Sequence, residues 1–150
     1  MTGLDEASTA ANEISALVTD WVTRAWNLQP GQQWNSRRQL EDFYDWRGED
    51  VILHDNADPQ RTVARSAAEY AGIWDAALAA LVQLENTIDD GPHVAVSGDL
   101  AVVDVCFTTR FSFGDGRVDV APTRSTLALR REGHRWLIFR EHGSALRSHA

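Results

Sequence analysis

Apolar positions in the first part of the chain fall at helical steps. Ile14, Leu17, Val18, Trp21, Val22 and Ala25 recur every three or four residues, which predicts one amphipathic helix over 5–27, stopped by Gln29-Pro30-Gly31. A shorter helix is predicted from Ser36, read as an N-cap that forms a capping box with Gln39, with Leu40, Phe43 and Tyr44 on its inner face. Ser66-Ala67-Ala68-Glu69 is a second box. It opens a helix to about residue 82 with the stripe Tyr70, Trp74, Leu78 and Leu81. Between these helices, 51–55 alternates as a strand, and the polar, proline-bearing 56–63 is a loop.

Beyond this point the period shortens to two. Strands are predicted over 84–88 and 94–97, either side of Asp89-Asp90-Gly91-Pro92, then over 100–113. Gly114-Asp115-Gly116 turns the chain into a last hairpin, whose own turn is Arg131-Glu132-Gly133. Both alternating registers of this hairpin carry apolar side chains: Leu127, Leu129, Leu137 and Phe139 in one, Ala128, Trp136 and Ile138 in the other. A sheet with one wet face would alternate apolar with polar, so both faces are expected to be covered. Arg124, Arg140 and His142 gather at one end, which implies a pocket there. Three helices with one early strand, followed by a run of strands, predict a single α+β domain over 1–150. Its expected form is helices on one face of a curved, mostly antiparallel sheet.

Strand parity sorts the polar residues. Val51, Leu53 and Asp55 point one way and Ile52 and His54 the other, so only one of His54 and Asp55 faces a pocket. In the last hairpin, a two-residue loop at Glu132-Gly133 sets Arg124 opposite Glu141. A three-residue loop with Gly133 left-handed shifts the pairing by one. Glu132 suits a type I′ turn poorly, which favours the longer loop. Arg124 and His142 then enter the pocket, and Leu127, Leu129, Leu137 and Phe139 lie on the outer face. That stripe is large for a monomer to leave wet and predicts a homodimer through the outer sheet face.

Composition narrows the partners. A formal charge of −8 argues against nucleic acid and anionic membrane. No apolar run reaches membrane-spanning length, and the start MTGLDEASTAANE has no basic n-region or apolar h-region, so no signal peptide is expected. Cys106 is the only cysteine; it excludes an intrachain disulfide and fits a reducing, cytoplasmic setting. All 14 basic residues are arginine, which removes lysine Schiff-base chemistry and the phosphate-loop lysine. His54, Asp55, Glu141 and His142 have no metal-ligand spacing, and no dinucleotide fingerprint stands out, so neither metal nor cofactor is expected.

Four stretches carry a resemblance: Gly48-Glu-Asp-Val-Ile-Leu-His-Asp55, the Trp74 helix, Thr123-Arg-Ser-Thr126, and Arg135-Trp-Leu-Ile-Phe-Arg-Glu-His142-Gly-Ser144. Together they resemble the nuclear transport factor 2-like superfamily, an α+β cone around a pocket, and within it the SnoaL-like proteins, which include polyketide cyclases. Many activities share this cone. Against the ketosteroid isomerases of the superfamily, Asp55 matches the catalytic base at the end of the first strand. Val120-Ala121-Pro122 is also present. Arg124, however, stands where that family has a protonated Asp, and Trp21 where it has a phenol. The resemblance thus implies a retained base and changed oxyanion donors. It argues against steroid isomerisation and leaves open base-assisted chemistry on an apolar, enolising or anionic substrate.

The candidate catalytic residues are therefore Asp55, His142 and Arg124. Asp55 is a general base if an apolar wall raises its pKa, or a solvated or arginine-neutralised carboxylate. His142 is an acid–base group or a structural orienter. Arg124 holds an anion or enolate, or forms a buried ion pair. Trp21, Tyr44 and Trp74 line a flat ligand or are plain core. Two functions follow: a cofactor-free lyase, isomerase or cyclase, or a non-catalytic ligand-binding or assembly protein of the same shape.

Overall fold

The computed structural model describes residues 3–146. Helix α1 (Gly3–Asp20) buries Ala10, Ile14 and Val18 and passes into a π-helical turn over Trp21–Ala25. The predicted single helix therefore changes pitch. A regular α-helix sets residues five apart about 140° round the axis. Here the Trp26 N–H donates to the Trp21 carbonyl at 3.2 Å, an i→i+5 bond that brings both indoles to the same side.

Helix α2 (Ser36–Leu40) is capped by Asn35, one residue before the expected cap; the Asn35 side chain accepts from the Arg38 N–H at 3.0 Å. Ser36 is fully buried instead, accepting the Trp34 indole N–H at 2.7 Å and donating its own backbone N–H to Asp75 at 2.8 Å. In α3 (Ala67–Ala77), Ser66 caps Glu69 as expected, while the Glu69 carboxylate takes the Arg65 N–H and leaves the box half closed.

Five strands form one open sheet in the order β1-β5-β4-β3-β2: β1 (Ile52–Asp55), β2 (Leu81–Ser97), β3 (Leu100–Phe113), β4 (Val118–Glu132) and β5 (Arg135–Ala145). Only the β1–β5 pairing is parallel. Helix α3 stops short of residue 82, and the two short strands predicted around Asp89-Asp90-Gly91-Pro92 are one strand. The β3 strand offers β2 a continuous partner, and register shifts near Ile88, Asp90 and His93, with Gly91 at φ +87°, absorb the surplus residues. Together with a bulge in β5, these irregularities bend the sheet towards the helices.

The last hairpin departs from its expected register. Glu132 pairs with Arg135, so the loop is Gly133-His134, and Gly133 opens it at φ +62°. Glycine first, with no positive φ after it, is the type II′ pattern, which needs nothing special of Glu132. Phe139 is then the surplus residue between Ile138, paired with Leu129, and Arg140, paired with Ala128. This bulge switches parity within β5. Trp136 and Ile138 face inward on one side of it, Glu141 and Gly143 on the other. Leu127 and Leu129 are accordingly fully buried inside the cone, not on the outer face. Arg124, Arg140 and His142 do share a face, but it is the outer one. The apolar stripe that motivated an outer-face dimer is thereby halved.

Asp45 is anchored near the β4–β5 turn. Its buried carboxylate accepts from Arg130 Nε at 2.8 Å and Nη2 at 2.6 Å. Burial alone would raise its pKa, but Arg130 and the N–H groups of Arg47 and Gly48 outweigh this and hold it below the usual carboxylate range.

A buried carboxylate beneath a tryptophan-walled cavity

Inward-facing strand residues build the floor of a cavity of about 70 Å³. Leu53 of β1 is fully buried, so parity brings Asp55 to the cavity, where it is half-buried. Asp55 pairs with Gly143 on β5, and Gly143 faces Ser125 on β4. The next rung holds Leu53, Glu141 and Leu127. Two carboxylates thus sit on adjacent rungs of one face. Gly143 makes the arrangement possible, because a Cβ there would collide with the Asp55 carboxylate.

Glu141 is the centre of the site. It is buried, and both its oxygens are engaged: Tyr44 Oη bonds Oε1 and Tyr70 Oη bonds Oε2. The Trp21 indole N–H donates to the Tyr44 hydroxyl at 3.0 Å. Burial raises the Glu141 pKa to about 8; the two tyrosine bonds pull it down and the charge of Asp55 pushes it up. Burial, followed by the charge of Glu141, drives both phenols well above their ordinary range, so they act as hydroxyls and not as phenolates. The Trp26 indole N–H favours ionised Tyr44 slightly from a position not aligned for a hydrogen bond.

Trp21 spends its N–H on Tyr44, so the Tyr44 proton is directed at Glu141 Oε1. A proton on Glu141 then belongs on Oε2, against Tyr70. In that state Tyr70 accepts from Glu141, and its own O–H is free to turn into the cavity. Protonated Glu141 and Tyr70 together make a donor; ionised Glu141 takes that donor back.

Asp55 also has a raised pKa. Burial is the main cause, opposed by the Ala57 N–H, which donates to Oδ1 at 2.7 Å, and by His54 and His142, with Asp58 pushing it up. The two imidazoles lie edge to face with centroids 5.3 Å apart. They belong to the outer face, as β1 parity and the β5 bulge require.

Helix α3 and the turn after the π-helix make the wall. Trp26 stacks on Trp34 at 5.3 Å, Trp74 meets Trp26 edge-on at 5.5 Å, and Tyr70 meets Trp74 at 6.0 Å. Asn86 is held by donating to the Val22 and Trp26 carbonyls, each at 2.9 Å, and ties the π turn to the sheet. Of the residues expected from sequence, Asp55, Trp21 and Trp74 line the cavity. Tyr44 lies behind Glu141, supporting it. Arg124 and His142 do not enter: Arg124 sits 3.5 Å from Asp104 on the outer face, and His142 borders a solvent-open groove there with Ile52, Val102 and Arg140. No arginine or histidine lines the cavity among the described residues, which removes the cation expected for an anionic substrate. Sequence reading missed Glu141, Ser125 and the polar role of Tyr70. The signal for Glu141 was the apolar content of both registers in β5, which a mid-strand bulge explains.

A sequence profile described as a SnoaL-like domain matches residues 33–148. The chain belongs to the SnoaL-like domain family. Comparison with curated proteins gives no match. Solved structures similar to this SnoaL-like chain include a nuclear transport factor 2-like superfamily protein from Salmonella enterica serovar Typhimurium, 14% identical with a TM-score of 0.74 over 95% of each chain. A candidate scytalone dehydratase from Novosphingobium aromaticivorans is 13% identical with a TM-score of 0.72, over 98% of this chain and 89% of that one. A candidate dehydratase of the same superfamily from Streptomyces avermitilis is 17% identical with a TM-score of 0.70, over 94% of this chain and 99% of that one. At these identities the likeness establishes that the SnoaL-like chain has the α+β cone fold. Among the described residues no helix is long and apolar enough to cross a membrane.

Proposed function

We propose that the protein is a cofactor-independent lyase or isomerase that moves a proton on a small, neutral, enolisable substrate. The observation that carries this reading is Glu141: a buried acid with a pKa near 8, coupled through Tyr70 to a cavity that Asp55 also lines. A pair of carboxyls with separated roles is what acid–base catalysis near neutrality needs. Asp55 Oδ2 takes a proton from the carbon beside a carbonyl. Tyr70 donates its O–H proton to the developing enolate oxygen and is replenished from Glu141 Oε2. The enol is reprotonated at another carbon for isomerisation, or expels a β-hydroxyl as water for elimination. The candidate dehydratases among the structural neighbours are compatible with the second outcome. The absence of a cation from the lining favours a neutral substrate.

The test is exchange of α-protons of small aryl ketones into D2O, followed by NMR. The expected result is protein-catalysed exchange that Asp55→Asn lowers by roughly 10²- to 10⁴-fold. Exchange equal in that variant and the wild type, or none above buffer in either, would overturn the reading in favour of a binding protein.

A second reading concerns assembly and is compatible with the first. The outer face still exposes Leu100, Val102, Val118 and Val120, at 55%, 50%, 43% and 59%. One structural neighbour is the association domain of the Caenorhabditis elegans calcium/calmodulin-dependent kinase, 13% identical with a TM-score of 0.61 over 93% of this chain and 98% of that one. A homodimer through this face predicts a dimer in sedimentation at micromolar concentration, converted to monomer by Val102→Arg; a wild-type monomer rejects it.

A further inference from the structure

His54 and His142 stay outside the cavity, yet the strand register sets them directly behind its base. His54 pairs with His142 across the parallel β1–β5 ladder, and the next pair is Asp55 with Gly143. Successive side chains point to opposite faces, so both imidazoles stand on the outer face and the carboxylate on the inner one. The rings meet edge to face, with centroids 5.3 Å apart. A Cβ on Gly143 would overlap Asp55 Oδ2, so the carboxylate rests on bare backbone. One layer of peptide therefore separates it from the two rings. Asn56 pins that layer: its N–H donates to the Gly143 carbonyl at 3.1 Å, and its side-chain oxygen accepts the Ala145 N–H at 2.8 Å.

The surrounding charges leave the pair's influence on Asp55 intact. On the outer face the histidine rung continues through Thr126 to Asp104. Asp104 is already engaged, by the Thr126 hydroxyl at 2.7 Å and by Arg124 at 3.5 Å. Arg140, two residues before His142, donates its Nε–H to the Asp50 carbonyl at 2.8 Å. In the loop after β1, the Thr62 carbonyl lies 3.4 Å from His54 Nδ1. Asp58 belongs to the same loop; burial would raise its pKa, but the N–H groups of Thr62 and Gln60 outweigh this and hold it low, with His54 a smaller contributor. On the inner face the acid beside Asp55 is Glu141, one rung away. Among the described residues, neither imidazole reaches ion-pairing distance of a carboxylate. Histidine gains its charge between pH 8 and 5, the range in which a carboxylate base has to resist protonation. Charge on these two rings favours ionised Asp55, against the burial that is the main influence on that group.

We infer that His54 and His142 are positioning residues for the base: in acid their charge, acting through the backbone of the β1–β5 ladder, keeps Asp55 ionised and its site active. This deepens the proton-transfer reading and rests on it for the rates; the ionisation of Asp55 is measurable without turnover.

The experiment uses the full chain with His54→Gln, His142→Gln and both together, and with His142→Arg as the fixed-charge counterpart. The Asp55 carboxyl is titrated by carboxyl-carbon NMR, its resonance identified by its loss in Asp55→Asn. Exchange of ketone α-protons is followed in parallel from about pH 5 to 8. Each glutamine variant should titrate Asp55 at higher pH than wild type, the double variant highest, and His142→Arg at or below wild type. Exchange in the double variant should lie within about twofold of wild type near pH 8, where imidazole is ordinarily neutral, and roughly three- to tenfold below it near pH 5. His142→Arg should hold the wild-type rate near pH 5. A merely structural role would lower exchange by one factor at both pH values and leave the Asp55 titration in place. His142 is exposed, so His142→Gln by itself carries the test where His54→Gln perturbs the loop. An unmoved Asp55 titration, or a rate ratio independent of pH, overturns the inference. A shifted titration with no exchange in any form instead sinks the catalytic reading and leaves the coupling standing.

Discussion

At the scale of single residues, the proposed chemistry turns on where Glu141 keeps its proton. Its pKa stands at about 8 in the folded state, from an ordinary value of 4.5. The unfolded chain therefore releases this proton at lower pH than the folded one. Native stability from this group is full below about pH 4.5 and is lost as pH rises towards 8. Thermal melts should accordingly fall between pH 5 and 8.5, by the equivalent of a few kcal/mol. Glu141→Gln should flatten that slope, and a wild-type melt that rises over this window contradicts the assignment. If Tyr70 and Glu141 deliver the acid proton, kcat/KM should also decline on the alkaline side with an apparent pKa near 8. Tyr70→Phe should lower the rate by roughly 10²-fold, because it breaks the route while keeping the ring. Arg124→Ala should leave the rate within about twofold, since its side chain lies outside the cavity.

At the scale of elements, glycine and one bulge place the two acids. Gly143 is an ordinary mid-strand position in φ, but its missing Cβ is the space that the Asp55 carboxylate occupies. Gly143→Ala should move that carboxylate and reduce exchange by at least about tenfold, as small misplacements of a base do. Circular dichroism should meanwhile remain that of the folded protein; an unchanged rate would dissociate Asp55 position from turnover. The Phe139 bulge does comparable work for Glu141. Without it, the parity that buries Trp136 and Ile138 would carry Glu141 to the outer face. The π turn does the same for the wall, bringing Trp21 to Tyr44 and Trp26 to the cavity.

At the scale of the whole molecule, the sheet is left open by its strands and helices pack on it. Helix α3 reaches the sheet through Tyr70 on Glu141, and the cavity occupies the space beneath Trp74. Asp45 and Arg130 pair near the β4–β5 turn. Arg130→Met leaves the Asp45 charge buried and unpaired and should destabilise the fold by about 3 kcal/mol in urea titration, well beyond a surface substitution. A loss under about 0.5 kcal/mol would mean that Asp45 finds another partner.

The periodicity of the chain alone determined three helices, one early strand and a long β region, and hence the class of fold. Helical and strand periods are local properties, set by which side chains meet over a few residues. The alternation in 51–55 set His54 and Asp55 on opposite faces, the family resemblance chose Asp55, and Leu53 on its side is fully buried. The tertiary structure decided the facing of both strands of the last hairpin. One glycine beginning a two-residue turn, and one surplus residue at Phe139, reset strand parity, and neither leaves an unambiguous local mark. Arg124 and His142 went out, and Glu141 and Ser125 came in, on those two events. Register is a choice between partners distant in sequence, settled by which alternative buries Leu127, Leu129, Trp136 and Ile138 together; only the assembled core makes that comparison.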